Sequence, residues 1–180
     1  MKDNNQYYGT FSRLLHWLMA AAFALMLFTA VMWNINEDYF SLMGLHKSVG
    51  VLLMVLLVVR MVWSLLNRAN RPECNAAAKL GHLALYALMF AVPFVGLLRQ
   101  YGSARSSLEV FGIEVMGKAP EKVEWMAQAG GAQPIAGLDW SVHGLLAYTL
   151  FALVAGHIVM AVIHQLKGEK ILNRMAGSRV

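Results

Sequence analysis

The chain has 180 residues, 58% of them hydrophobic and only 14% charged, with a formal net charge of +5. That length suits one domain, and a charged share so far below the soluble average of roughly a quarter points to lipid as the solvent. The basic balance would suit nucleic acid in a soluble protein, but here the charges lie mostly outside the apolar runs, so membrane topology accounts for them and no nucleic-acid role is read.

Four apolar stretches follow in chain order. Residues 14–33 carry no charge, 49–66 carry only Arg60, 83–98 are uncharged and contain Pro93, and 141–165 are uncharged. Each is about long enough to cross a hydrocarbon core of ~30 Å at ~1.5 Å per residue, the third once Gly81 and Arg99 are added at its ends. The first competes with a signal peptide, but it exceeds the usual apolar run of ~7–15 residues in such a segment, and His16 and Trp17 suit a retained helix. The expectation is an all-α integral membrane protein of one domain over residues 1–180. Its four-helix bundle runs up-down-up-down, with helices at about 14–33, 45–66, 81–99 and 140–165 and an outer loop at 101–139.

The connections predict the orientation. Lys2 and Arg13 precede the first span, Arg68, Arg71 and Lys79 follow the second, and Lys167, Lys170, Arg174 and Arg179 follow the fourth. Residues 34–43 hold Glu37 and Asp38 and no base, while the long loop sets Arg105, Lys118 and Lys122 against four glutamates and Asp139. The positive-inside rule then puts both termini in the cytoplasm. The long loop, rich in Gly, Ala and polar residues, is expected to form a small cap with an amphipathic turn around residues 119–129. The single cysteine, Cys74, excludes an internal disulfide, a CxxCH haem attachment and a cysteine-held iron–sulfur cluster. No GxGxxG or GK[ST] phosphate loop occurs.

The chemistry lies in the histidines. His16 opens the first span, His46 the second and His143 the fourth, and His157 follows His143 by fourteen residues. Fourteen residues at ~100° each fall about 40° short of four turns and rise ~21 Å, so the last two share one face at two depths. Up-down connectivity then pairs His16 with His157 at the cytoplasmic depth and His46 with His143 at the outer depth. Two pairs at opposite depths suit two stacked bis-histidine haems, because imidazole is a good axial ligand and a helix bundle accepts a flat macrocycle. Isolated polar contacts between helices are the competing explanation for each histidine alone, and a zinc site would want its ligands at one depth.

Other residues are weighed beside them. Gly50, Gly144 and Gly156 let a macrocycle approach, or simply let helices pack. Arg13, one turn before His16, and Lys47, beside His46, are candidate partners for haem propionates, with membrane anchoring as the alternative for Arg13. Arg60 lies within a span, where charge is costly and often functional, yet it is near enough to the end to snorkel. His82 and His164, near the cytoplasmic surface, are either interfacial residues or groups that meet a quinone or relay protons.

With Arg13-Leu-Leu-His16-Trp17, Leu45-His46-Lys47-Ser48-Val49-Gly50, Gly81-His82-Leu83-Ala84-Leu85-Tyr86, His143 with His157, and Ile171-Leu172-Asn173-Arg174-Met175, the chain resembles the bacterial cytochrome b561 family. That family is related to the cytochrome b subunits of nickel–iron hydrogenases and formate dehydrogenases. The resemblance covers nearly the whole chain, the long loop and the region before the fourth span apart. It implies that His16, His46, His143 and His157 ligate two haem b groups, in a bacterial inner-membrane protein exchanging electrons with ubiquinone. Some such proteins oxidise superoxide at the outer face, and Lys47, Arg99, Arg105, Lys118 and Lys122 are the cations that would draw a small anion there. The alternatives are a haem-bearing anchor subunit, passing electrons from a dehydrogenase partner to quinone, and a scaffold whose histidines only pack helices.

Overall fold

The computed structural model describes residues 3–72, 75–129 and 141–177. Cys74, the cations Lys2 and Arg179, Asp139 and residues 130–140 lie outside this set. The elements run α1 (Thr10–Ile35), α2 (Met43–Leu66), α3 (Ala76–Gly102), a hairpin of β1 (Leu108–Val110) and β2 (Ile113–Met116), α4 (Glu124–Ala129), α5 (Val142–Leu166) and α6 (Ile171–Ala176). The segments Thr10–Met32, Asp38–Leu66, Ala76–Gly102 and Val142–Leu166 are long and apolar enough to cross a membrane. Their most apolar windows are only 22%, 17%, 6% and 6% buried within the protein, so most of their apolar surface needs lipid or a ligand against it.

The helix ends explain why the spans begin where they do. The third starts at Ala76, earlier than its apolar run, because the Asn75 side chain accepts the Ala78 N–H and caps it. Ser141 caps α5 by accepting the Gly144 N–H, which sets His143 in the first turn. At α1 the residue before the helix is Gly9, which offers no side chain to cap it, and Asp3 instead ties down the segment around the helix start. Its buried carboxylate accepts the Gly9 N–H at 2.7 Å, the Ser12 hydroxyl at 2.7 Å and the Arg71 Nε–H at 3.2 Å. Ser12 in turn accepts the Trp63 indole N–H at 2.9 Å, so the start of α1 meets the end of α2 and the two helices are antiparallel. Asp3→Ala would strip three donors of their acceptor at once, and the expected loss is about 2–3 kcal/mol of stability. Thermal melting of helical circular dichroism in detergent reads it, and an unchanged midpoint would show that Asp3 carries none of this.

The core is a stripe of Leu15, Met19 and Ala22 on α1 against Val49, Leu53, Leu56 and Leu57 on α2, at the three- and four-residue spacing of one helix face. α3 packs on α5 and touches α2, whereas α5 does not pack closely on α1 or α2. That stand-off leaves interior space between α5 and the α1–α2 pair. The Gly102 Cα faces Met126 and Ala127 so closely that a Cβ there would overlap them, which seats α4 on the end of α3. The long loop therefore holds a hairpin, and α4 falls within the range expected to form an amphipathic turn. Its Phe111–Gly112 turn takes positive φ at both residues, and Ser48 of α2 accepts the Phe111 N–H at 3.0 Å. At the other end of the bundle the terminal segments meet. The Tyr8 N–H donates to the Arg174 carbonyl at 3.3 Å, and the Trp17 indole N–H donates to the Met175 carbonyl at 3.1 Å. This is the terminal end of the bundle, and the other is the loop end.

Candidate haem sites

The helices bring the four histidines into two pairs, as their depths predicted. His16 of α1 and His157 of α5 have ring centres 6.5 Å apart at the terminal end. His46 of α2 and His143 of α5 have ring centres 6.3 Å apart at the loop end. The ring planes cross at 67° and 74°. Two imidazoles bound on opposite sides of one metal, each by a bond of about 2 Å with about 1.1 Å from nitrogen to ring centre, would have centres about 6.2 Å apart. Both pairs have about the separation that an ion held between them requires. Among the described residues no group of three or more His, Cys, Asp or Glu side chains gathers into an all-protein metal site, so a ligand set completed by a macrocycle suits these pairs better than zinc.

The second ring nitrogens carry further information. Thr29 gives its single hydroxyl proton to the Met26 carbonyl at 2.9 Å, so its oxygen is left to accept from His46 Nδ1 at 3.0 Å. His143 Nδ1 lies 3.0 Å from the Val92 carbonyl oxygen, which only accepts. These contacts put the ring proton on Nδ1 and the lone pair on Nε2, the arrangement by which protein metal sites orient a ligating imidazole. At the terminal pair the contact has the opposite sense. Arg60 Nη1 lies 3.1 Å from His16 Nδ1, and a guanidinium only donates. Its Nε–H also donates to the Tyr86 hydroxyl at 3.3 Å.

A cavity of about 1450 Å³ opens beside the loop-end pair. His46, His143, Gly50, Gly96 and Gly144 line it, as do Lys47, Arg99, Arg105 and Lys122, with Glu124 as the acidic member. Lys122 pairs with Glu124 at 2.9 Å, which offsets one of the four cations. A Cβ on Gly96 would come within 3.1 Å of the His143 ring, so the absent side chain is what admits that imidazole. Gly50 also borders the cavity, whereas Gly156 faces open space.

The remaining candidates are distributed less simply. Lys47 lines the cavity beside His46. The Arg13 guanidinium fills the space over Gly177, just past α6, so it meets the chain's own last turn. His164 Nδ1 lies 2.9 Å from the Glu169 carboxylate, outside hydrogen-bond alignment. His82 reaches the terminal pair, with its ring centre 5.4 Å from that of His157 and its Nδ1–H donating to the Ala78 carbonyl at 2.7 Å. That separation is too short for His82 and His157 to bind opposite sides of one ion. Sequence reasoning had no hold on Thr29 or the Val92 carbonyl. A lone hydroxyl in an uncharged span is the one signal that pointed to Thr29.

The sequence comparisons identify the family. The family described as prokaryotic cytochrome b561 matches residues 7–178. The Escherichia coli (strain K12) protein "Cytochrome b561 homolog 2" is 32% identical over 182 residues, a match that covers 94% of this chain and 91% of that protein. The chain, with its four apolar helices, therefore belongs to the prokaryotic cytochrome b561 family of haem b membrane electron-transfer proteins.

Proposed function

We propose that this protein holds two haem b groups, one between His16 and His157 and one between His46 and His143, and passes electrons between an outer-face donor and ubiquinone. The observation that carries this reading is the pair of ring-centre separations, 6.5 and 6.3 Å. Each haem, held by its pair of histidines, would supply a one-electron carrier. Thr29 and the Val92 carbonyl keep two of the imidazoles in the ligating tautomer. Lys47 and Arg13 are the proposed propionate partners, Lys47 the better supported because it borders the cavity. The terminal end would face the cytoplasm of a bacterial inner membrane, since Arg13, Arg68, Arg71, Lys79, Lys167, Lys170 and Arg174 gather around it in sequence.

Superoxide is the donor we favour. Lys47, Arg99 and Arg105 line the loop-end cavity, and cations lining a cleft raise the local concentration of a small anion. Lys118, also considered from sequence, is not among the lining residues. Two superoxide ions would give up one electron each and leave as dioxygen, and those two electrons with two protons would convert ubiquinone to ubiquinol. Purified protein should show its b-type bands sharpen when superoxide is generated and fade on adding ubiquinone. Bands that stay unreduced under superoxide but respond to quinol would sink the superoxide assignment and leave the quinone link.

The anchor reading has one observation in its favour. Phe111, Ile113, Val115 and Trp125 are 61%, 69%, 55% and 63% exposed on the hairpin and α4, and clustered exposed apolar residues mark contact surfaces. A dehydrogenase recovered by native purification in mild detergent, and lost when Phe111 and Ile113 are made serine, would favour it.

A further inference from the structure

Arg60 lies fourteen residues after His46 on α2, the spacing that separates His143 from His157 on α5. Helix geometry thus sets it on the face of His46 and at the depth of the terminal pair. At the position where α5 carries its second imidazole, α2 carries a guanidinium. Arg60 is turned inward, onto His16 Nδ1 at 3.1 Å, the Tyr86 hydroxyl at 3.3 Å and the Met19 sulfur at 4.0 Å. All three are neutral. Among the described residues the ion pairs are Arg71–Asp3, Lys122–Glu124 and His164–Glu169, and none neutralises Arg60. An intramembrane cation without a carboxylate is costly, and a charge retained at that cost commonly serves function.

The two haem sites differ in this respect. At the loop end the second nitrogens of His46 and His143 face uncharged acceptors, which raise the basicity of the ligand and favour ferric iron. The cations there line a cavity with Glu124 among them, and that carboxylate offsets part of their charge. At the terminal end the cation is inside the span and beside a ligand, where a low dielectric leaves its field strong. Adding one electron to a site next to a fixed positive charge is favoured. Whichever nitrogen of His16 meets iron, Tyr86 keeps the guanidinium in the cluster.

We propose that Arg60 sets the redox potential of the haem between His16 and His157, its charge favouring the ferrous form and making that haem the resting place of the electron. This rests on the ligand assignment above. The test is an optical redox titration of the purified haem-loaded protein, of Arg60→Gln and of Arg60→Lys. The component concerned is the one that His157→Ala removes. In Arg60→Gln its reduced-to-oxidised ratio at the original midpoint should fall at least ten-fold, a downward shift of about 59 mV for one electron. The other component should stay in place, and Arg60→Lys, which keeps the charge, should restore the potential to within about three-fold of the original ratio. A component that does not move in Arg60→Gln, two components that move together, or an equal fall in Arg60→Lys would overturn the proposal. Should Arg60→Gln lose the haem, Arg60→Lys decides alone: a native potential supports the proposal, and a lowered potential or a lost haem overturns it. An unmutated protein with other than two haems would instead mean that the ligand assignment has failed.

Discussion

Alanine at His157 should leave purified protein with about one haem in place of two, and alanine at His16 should remove the same one. Alanine at His46 or at His143 should remove the other. The reason is geometric. Each haem would be held by two imidazoles on different helices, and a single remaining ligand cannot keep a large macrocycle in a gap that α5 does not close by packing on α1 or α2. Spectra before and after dithionite, with haem measured per chain, read the stoichiometry, and a redox titration tells which component has gone. The double replacement His16→Ala with His157→Ala should cost no more haem than either alone. If His16→Ala and His46→Ala removed the same haem, the pairing by depth would be refuted. Colourless protein without any substitution would restore the reading in which the histidines only pack helices.

Valine at Gly96 should empty the loop-end site and spare the terminal one. A Cβ at that position stands 3.1 Å from His143 Cε1 and 3.3 Å from Nδ1, and valine adds two methyl groups beyond it. The imidazole must swing away, and its contact with the Val92 carbonyl is lost. Overpacking of this kind costs about 1–3 kcal/mol, and loss of the outer hydrogen bond of a metal ligand typically costs ~10–100-fold in affinity. Haem retention through a wash series, compared with Gly96→Ala, gives the measure. Alanine should weaken the site less, because its single methyl needs only a few tenths of an ångström. Full retention of both haems in Gly96→Val would mean that His143 is not held where α3 leaves room for it.

The histidine pairing was legible because it depends on counting. A helix rises by a constant amount per residue, so fourteen residues between His143 and His157 fix two depths before any packing is known. Arg60 was harder. Its place near the end of a span allowed both a buried role and a turn toward the membrane surface, and only the approach of Tyr86 and His16 chose the buried one. For His82 the sequence leaves open an interfacial place or a functional one, and the approach of α3 and α5 is what brings it beside His157. The hairpin in the long loop has a signal in the sequence. Leu108–Val110 and Ile113–Met116 are short runs rich in apolar residues around a glycine, and Gly112 at φ +84° is the residue that such a turn requires. Asn75 likewise marks the start of α3, but the alanines after it are only weakly apolar and Lys79 interrupts them, so the strongly apolar run begins later than the helix.

The sequence by itself determined four spans, a set of four histidines at two depths, and the family to which the chain belongs. Those are consequences of length, composition, helical rise and residue identity. The rotation of each helix about its own axis was decided only by the tertiary structure. In lipid the spans are apolar nearly all round, so no amphipathic stripe says which face turns inward. Close fits decide it instead, such as Gly96 against His143, and so do paired polar groups such as Thr29 with His46 and Arg60 with Tyr86. Those contacts join residues far apart in the chain, and no local pattern encodes them.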